Sequence, residues 1–126
     1  MVELVEGDNG KRDFQGMIIG VEDIAAEGKF LPQYKLTIKP DNPEWKDCYI
    51  WAGIPSTSTP EKVPKKSFLG YILKILEQNH VDVSGTHSEI IHALEGTTWN
   101  FQDILPMLSG EAITKKEKLV MYEKIE

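Results

Sequence analysis

The sequence predicts a mainly β domain in which five strands form an antiparallel barrel, with a helix between the third and fourth strands. Three observations predict it. Several segments alternate apolar and polar residues with the two-residue period of a half-buried strand. One segment, 67–79, instead spaces its apolar residues three and four apart, as a helix face does. That helical segment follows three strand-like runs and precedes two, the order of a meander, a helix and a hairpin. At 126 residues the chain has one domain's length, enough to bury a core without staples. Residues 1–13 read as an N-terminal arm or short edge strand, and residues 14–126 as a single barrel domain.

Val2 to Leu4 carry a short strand pattern, and residues 7–13, GDNGKRD, are polar and turn-forming. The first main strand is predicted at 14–24, FQGMIIGVEDI. Met17, Ile19 and Val21 alternate there with Ile18 and Gly20, so both faces are partly apolar. Gly16 and Gly20 suit a strand that bends, since glycine in strands often marks bulges and corners. A connection, AAEGK at 25–29, leads to the second strand at 30–39, FLPQYKLTIK, with Pro32 near its start. Tyr34, Leu36 and Ile38 share one face of it, and Gln33, Lys35, Thr37 and Lys39 the other.

PDNPEW at 40–45 is a turn. The third strand, KDCYIWAGI at 46–54, sets Cys48, Ile50, Ala52 and Ile54 on one face and Tyr49 and Trp51 on the opposite one. A polar loop with three prolines, 55–64, precedes the helix at 67–79. Phe68, Leu69, Ile72, Ile75 and Leu76 form its apolar stripe, and Ser67 can cap its start. A shorter helix is predicted at 88–94, capped by Ser88 and ended by Gly96. The fourth strand, TTWNFQDI at 97–104, places Trp99 and Phe101 on one face. Residues 106–117 read as a loop, and 118–125, KLVMYEKI, as the last strand.

Composition narrows the classes of function. The lone cysteine, Cys48, cannot close an intrachain disulfide or build a thiolate zinc site. No run reaches the roughly 20 apolar residues of a membrane span. The polar, acidic start lacks the apolar stretch of a secretory signal, and together these features point to the cytoplasm. The net charge of −6 argues against a phosphate ligand unless the lysines gather on one face.

Three segments carry a resemblance in layout to the small single-stranded-DNA-binding proteins of phages and archaea. They are FQGMIIGVEDIAAEGKF (14–30), YKLTIKPDNPEWKDCYIWAG (34–53), and FLGYILKILEQNH (68–80) with LEGTTWNF (94–101). The resemblance implies the oligonucleotide/oligosaccharide-binding fold, a partly open five-stranded barrel. It also implies binding across the second and third strands, closure by the loops after the first and fourth, and a place in DNA replication or repair. The chain departs from that family in charge, since such proteins often keep a basic cleft.

Read residue by residue, the sharpest constellation is the outward face of strands two and three. If Leu36, Ile38, Ile50 and Ile54 point inward, then Lys35, Thr37, Lys39, Tyr49 and Trp51 point out. Bases stack on such rings, and lysines neutralise phosphates. Lys46, Lys115 and Lys116 extend the predicted nucleic-acid contact set. Lys118, Lys62, Lys65, Lys66, Lys11, Arg12 and Lys29 are further basic groups, each equally compatible with a solvated surface charge. With Arg12 the only arginine, backbone recognition is favoured over base-specific reading. A second placement is equally open: Tyr49 and Trp51 pack under the helix or the proline loop, as strand aromatics commonly do. The other aromatics, Phe14, Phe30, Tyr34, Trp45, Phe68, Tyr71, Trp99, Phe101 and Tyr122, read as core or half-buried. Trp99 joins the binding set if the fourth strand flanks the cleft.

No catalytic, cofactor or metal site is expected. His87 and His92 are five apart and share no helical face, and His80 has no partner motif. Glu22, Asp23, Asp41, Glu44, Asp47 and Asp103 form no acid–base pair. Ser56, Ser58 and Ser109 lack a nucleophile elbow, and Gly20, Gly28 and Lys29 do not make a phosphate loop. The expectation is non-catalytic binding of single-stranded nucleic acid, most simply single-stranded DNA. The alternative is a protein-interaction or assembly domain, since the acidic balance suits a basic protein partner and a fold does not dictate a function. A structural spacer in a virion is a third reading.

Overall fold

The structure is a computed structural model and describes residues 12–105, 107–108, 111–112 and 117–125. In chain order it has β1 (Asp13–Ile24), β2 (Gln33–Pro40), β3 (Cys48–Gly53), α1 (Phe68–Gln78), α2 (His87–His92), β4 (Thr98–Ile104), β5 (Met107–Leu108), β6 (Glu111–Ala112) and β7 (Lys118–Ile125). Five strands make one antiparallel sheet in the order β3-β2-β1-β4-β7. The sheet is not closed, because β3 and β7 are its two edges. Helix α1 packs against both of these edges and so lies across the inner side of the gap. The predicted loop at 106–117 contains a two-stranded ribbon, β5 with β6. Of the predicted N-terminal arm, residues 1–11 lie outside the described residues, and Asp13 already belongs to β1.

The alternation read from the sequence decides which side chains are inside. Tyr34, Leu36 and Ile38 of β2 and Ile50 and Ala52 of β3 are buried, together with Ile18, Trp99, Phe101, and Leu119 to Met121. The five stripe residues of α1 close over them. Each such aliphatic or aromatic side chain contributes about 1.5–3 kcal/mol by leaving water. Strand β1 bends at a bulge between Ile18 and Gly20, where the predicted glycine stands. Gly16 serves a different purpose: a Cβ there would sit 2.8 Å from the Lys39 carbonyl oxygen.

Local chemistry sets the helix ends. The Ser67 hydroxyl accepts the Gly70 N–H at 3.0 Å, as predicted. Helix α2 is capped by Thr86 rather than Ser88. Thr86 and Glu89 form a reciprocal capping box, which the S/T-x-x-E spacing encodes. It ends at His92, with Gly96 at positive φ three residues beyond Ala93, where its N–H donates to the Ile18 carbonyl. At the far end of α1, Asn79 Nδ2 donates to the Ile75 carbonyl and to that of Tyr122, and Asn79 Oδ1 accepts from the Lys124 N–H. One side chain thus ties the helix to β7.

Three aromatic expectations are corrected. Phe30, Trp45 and Tyr122 are exposed, because the first two sit in turns and the third is on the outer face of an edge strand. Trp99 is fully buried, which removes it from any binding surface. No helix among the described residues is long and apolar enough to cross a membrane.

Candidate nucleic-acid interface

The β2–β3 register brings the predicted outward residues into rows. Lys35 pairs with Trp51 and Thr37 with Tyr49. Strand β1 continues both rows, with Glu22 opposite Lys35 and Gly20 opposite Thr37. Tyr49 and Trp51 retain 46% and 43% of their accessible surface, so the placement of both rings under the helix or proline loop does not occur. Inward packing is already satisfied by Ile50 and Ala52, and the pleat sends their neighbours the other way.

Lys35 occupies the centre of this face. Its ammonium nitrogen lies 4.7 Å from the Tyr49 ring centroid and 5.3 Å from that of Trp51. Both distances are within reach of cation–π attraction. The same nitrogen stands 3.8 Å from Glu22 Oε2. Sequence reasoning missed Glu22 as part of the surface, because only the register of β1 against β2 places it there. Lys39 is exposed in the neighbouring row, opposite Met17. Lys46 is exposed in the turn before β3 rather than within the strand. Lys115 and Lys116 lie outside the described residues, as does Lys11. Met17 and the bulge residue Ile19 are exposed too, which makes β1 an apolar flank to the rings. A Cβ added at Gly20 would meet nothing, so the β1 end of the Thr37–Tyr49 row is open.

On its other side β3 borders the gap to β7. A cleft of about 260 Å³ opens there, reached by Tyr49 and Trp51 from β3 and by Phe68, Lys118 and Leu119 from α1 and β7. Arg12 stands at its rim. The Arg12 side chain donates to Asp103 through Nε at 3.0 Å and Nη2 at 2.8 Å, and its backbone N–H donates to the same carboxylate at 2.9 Å. Burial raises the Asp103 pKa, but the hydrogen bonds and charge of Arg12 together outweigh that, leaving the carboxyl below its ordinary range. The guanidinium is raised in turn, foremost by its hydrogen bond to Asp103.

Two of the three histidines hold side-chain contacts between elements. His87 Nδ1 lies 2.6 Å from the Tyr34 hydroxyl, and His92 Nε2 lies 2.9 Å from Asp23 Oδ1. Burial pushes the Tyr34 phenol above its ordinary pKa. Among the described residues no group of three or more His, Cys, Asp or Glu side chains is placed to hold a metal. Comparison of the chain with family models, curated proteins and solved structures returned no match.

Proposed function

We propose that the protein binds single-stranded nucleic acid without catalysis, across the outward face of β1–β3. The observation that carries the reading is the Lys35 ammonium held over the exposed rings of Tyr49 and Trp51. Rings at alternate positions of one strand offer stacking surfaces about 6–7 Å apart. Stacking is worth about 1–3 kcal/mol per base and accepts any base, while Lys35, Lys39 and Lys46 meet phosphates. The strand order β3-β2-β1-β4-β7, with helices between β3 and β4, also supports an oligonucleotide/oligosaccharide-binding architecture with an open seam.

Titration with oligo-thymidylate tests this through tryptophan emission. Trp45 and Trp51 are exposed and Trp99 is buried, so quenching reports the outer surface. Contact through three lysines predicts a slope of log K against log salt of about −2. No change in emission at low salt ends this reading.

A second reading has its own observation. Met17, Ile19, Phe30 and Leu31 are exposed on or beside β1, on a chain of net charge −6. Exposed apolar residues beside aromatic ones suit a protein partner with a basic rim. Native mass measurement of material drawn from lysate separates the two: bound protein without nucleic acid favours this alternative.

A further inference from the structure

We infer that the open seam between β3 and β7 is a pocket for one uncharged, flat heteroaromatic ring, a single base of the bound strand. This rests on the nucleic-acid reading above. Tyr49 and Trp51 of β3 and Phe68 of α1 all line the seam. Ile50 and Leu119, both buried, also line it where β3 and β7 have no ladder between them. Its volume, about 260 Å³, falls below the roughly 300–1,000 Å³ of sites for drug-sized ligands and suits one ring system.

Charge decides what kind of ligand part enters. Arg12 is ion-paired with Asp103, and the Lys118 ammonium lies 4.6 Å from the Phe68 ring centroid. The Glu117 carboxylate shares the rim. The two cations are thus offset by two carboxylates, so the seam offers no net attraction to a phosphate. Its aromatic lining attracts a neutral π-face instead. Access differs between the two sides: Tyr49 and Trp51 are exposed, whereas the Phe68 ring is buried beneath the Lys118 ammonium, which an entering base displaces. Lys35 covers Tyr49 and Trp51 from the β2 side, whereas the seam lies on the β7 side of the same strand. A base entering the seam therefore leaves Lys35 in place and free to meet the adjoining phosphate.

Photo-crosslinking of the unmodified protein tests this. A short oligo-thymidylate carries one 5-iodouracil, moved one position at a time, and crosslinked peptides are mapped. The expected result is that one position crosslinks to Phe68 while others reach Tyr49, Trp51 or neither. Lys118→Trp, a substitution an edge strand accepts readily, fills the seam. It should abolish the Phe68 crosslink, retain crosslinks to β3, and weaken binding about 5- to 150-fold, one base's stacking. Binding with crosslinks confined to Tyr49 and Trp51 overturns the seam pocket and leaves the wider reading standing. Absence of any binding overturns both.

Discussion

Lys35 and Trp51 sit directly opposite each other on β2 and β3, with the ammonium 5.3 Å from the indole centroid. The same cation is 3.8 Å from Glu22 Oε2, so the carboxylate competes with any phosphate for it. Removing that competitor by Glu22→Gln should raise affinity for oligo-thymidylate several-fold at low salt and little at high salt, since exposed charges are screened. Lys35→Ala should weaken binding and reduce the salt slope by about 0.7. Parallel titrations at two salt concentrations check both outcomes.

Trp51→Ala and Tyr49→Ala each remove a stacking surface without touching the core, because both rings are outward. Each should cost about 1–3 kcal/mol of binding free energy. Thermal unfolding of both variants should stay close to that of the parent, which separates lost contact from lost fold.

Arg12 and Asp103 link the start of β1 to β4 across 91 residues of sequence. Asp103 titrates below its ordinary 3.8 in the folded chain, so its contribution to stability is present above that value. It fades as pH falls below 3.8 and through the lowered folded value. Arg12→Ala should cost about 1–2 kcal/mol, reduced by the partial exposure of the guanidinium. The variant should also lose part of the parent's extra sensitivity to acid. Denaturant unfolding between neutral pH and pH 3 measures both.

Tyr34 is buried with its hydroxyl 2.6 Å from His87 Nδ1, and burial holds its phenol above 10.0. The folded state therefore resists ionisation, and stability is lost as pH rises above 10.0. Tyr34→Phe should cost about 0.5–1.5 kcal/mol near neutrality, the net value of one hydrogen bond. It should lessen the alkaline loss without abolishing it, since burial raises Tyr71 as well. Unfolding curves at neutral and alkaline pH report the difference.

Gly16 and Gly20 should respond in opposite ways. A methyl at Gly16 meets the Lys39 carbonyl oxygen at 2.8 Å, whereas one at Gly20 meets nothing. Gly16→Ala should destabilise by about 1–3 kcal/mol through overpacking. Gly20→Ala should be near neutral, with reduced unfolded-chain entropy offsetting any strain at the bulge. Paired melting temperatures decide it.

Side-chain period alone determined much of this protein. Alternation in QYKLTIK and CYIWAG put Leu36 and Ile38 on the face opposite Lys35, and Ile50 on the face opposite Tyr49 and Trp51, because a pleated strand permits only two directions. That Tyr49 and Trp51 face outward was decided by the folded packing. The stripe of α1 and its Ser67 cap were equally local and equally legible. Tertiary structure alone decided the pairings between distant segments: Glu22 beside Lys35, Arg12 on Asp103, Asn79 on β7, and Lys118 facing β3 across an open seam. A strand's own period says which way a side chain points. It says nothing of which strand lies alongside, and that depends on register and on the burial available to the whole sheet.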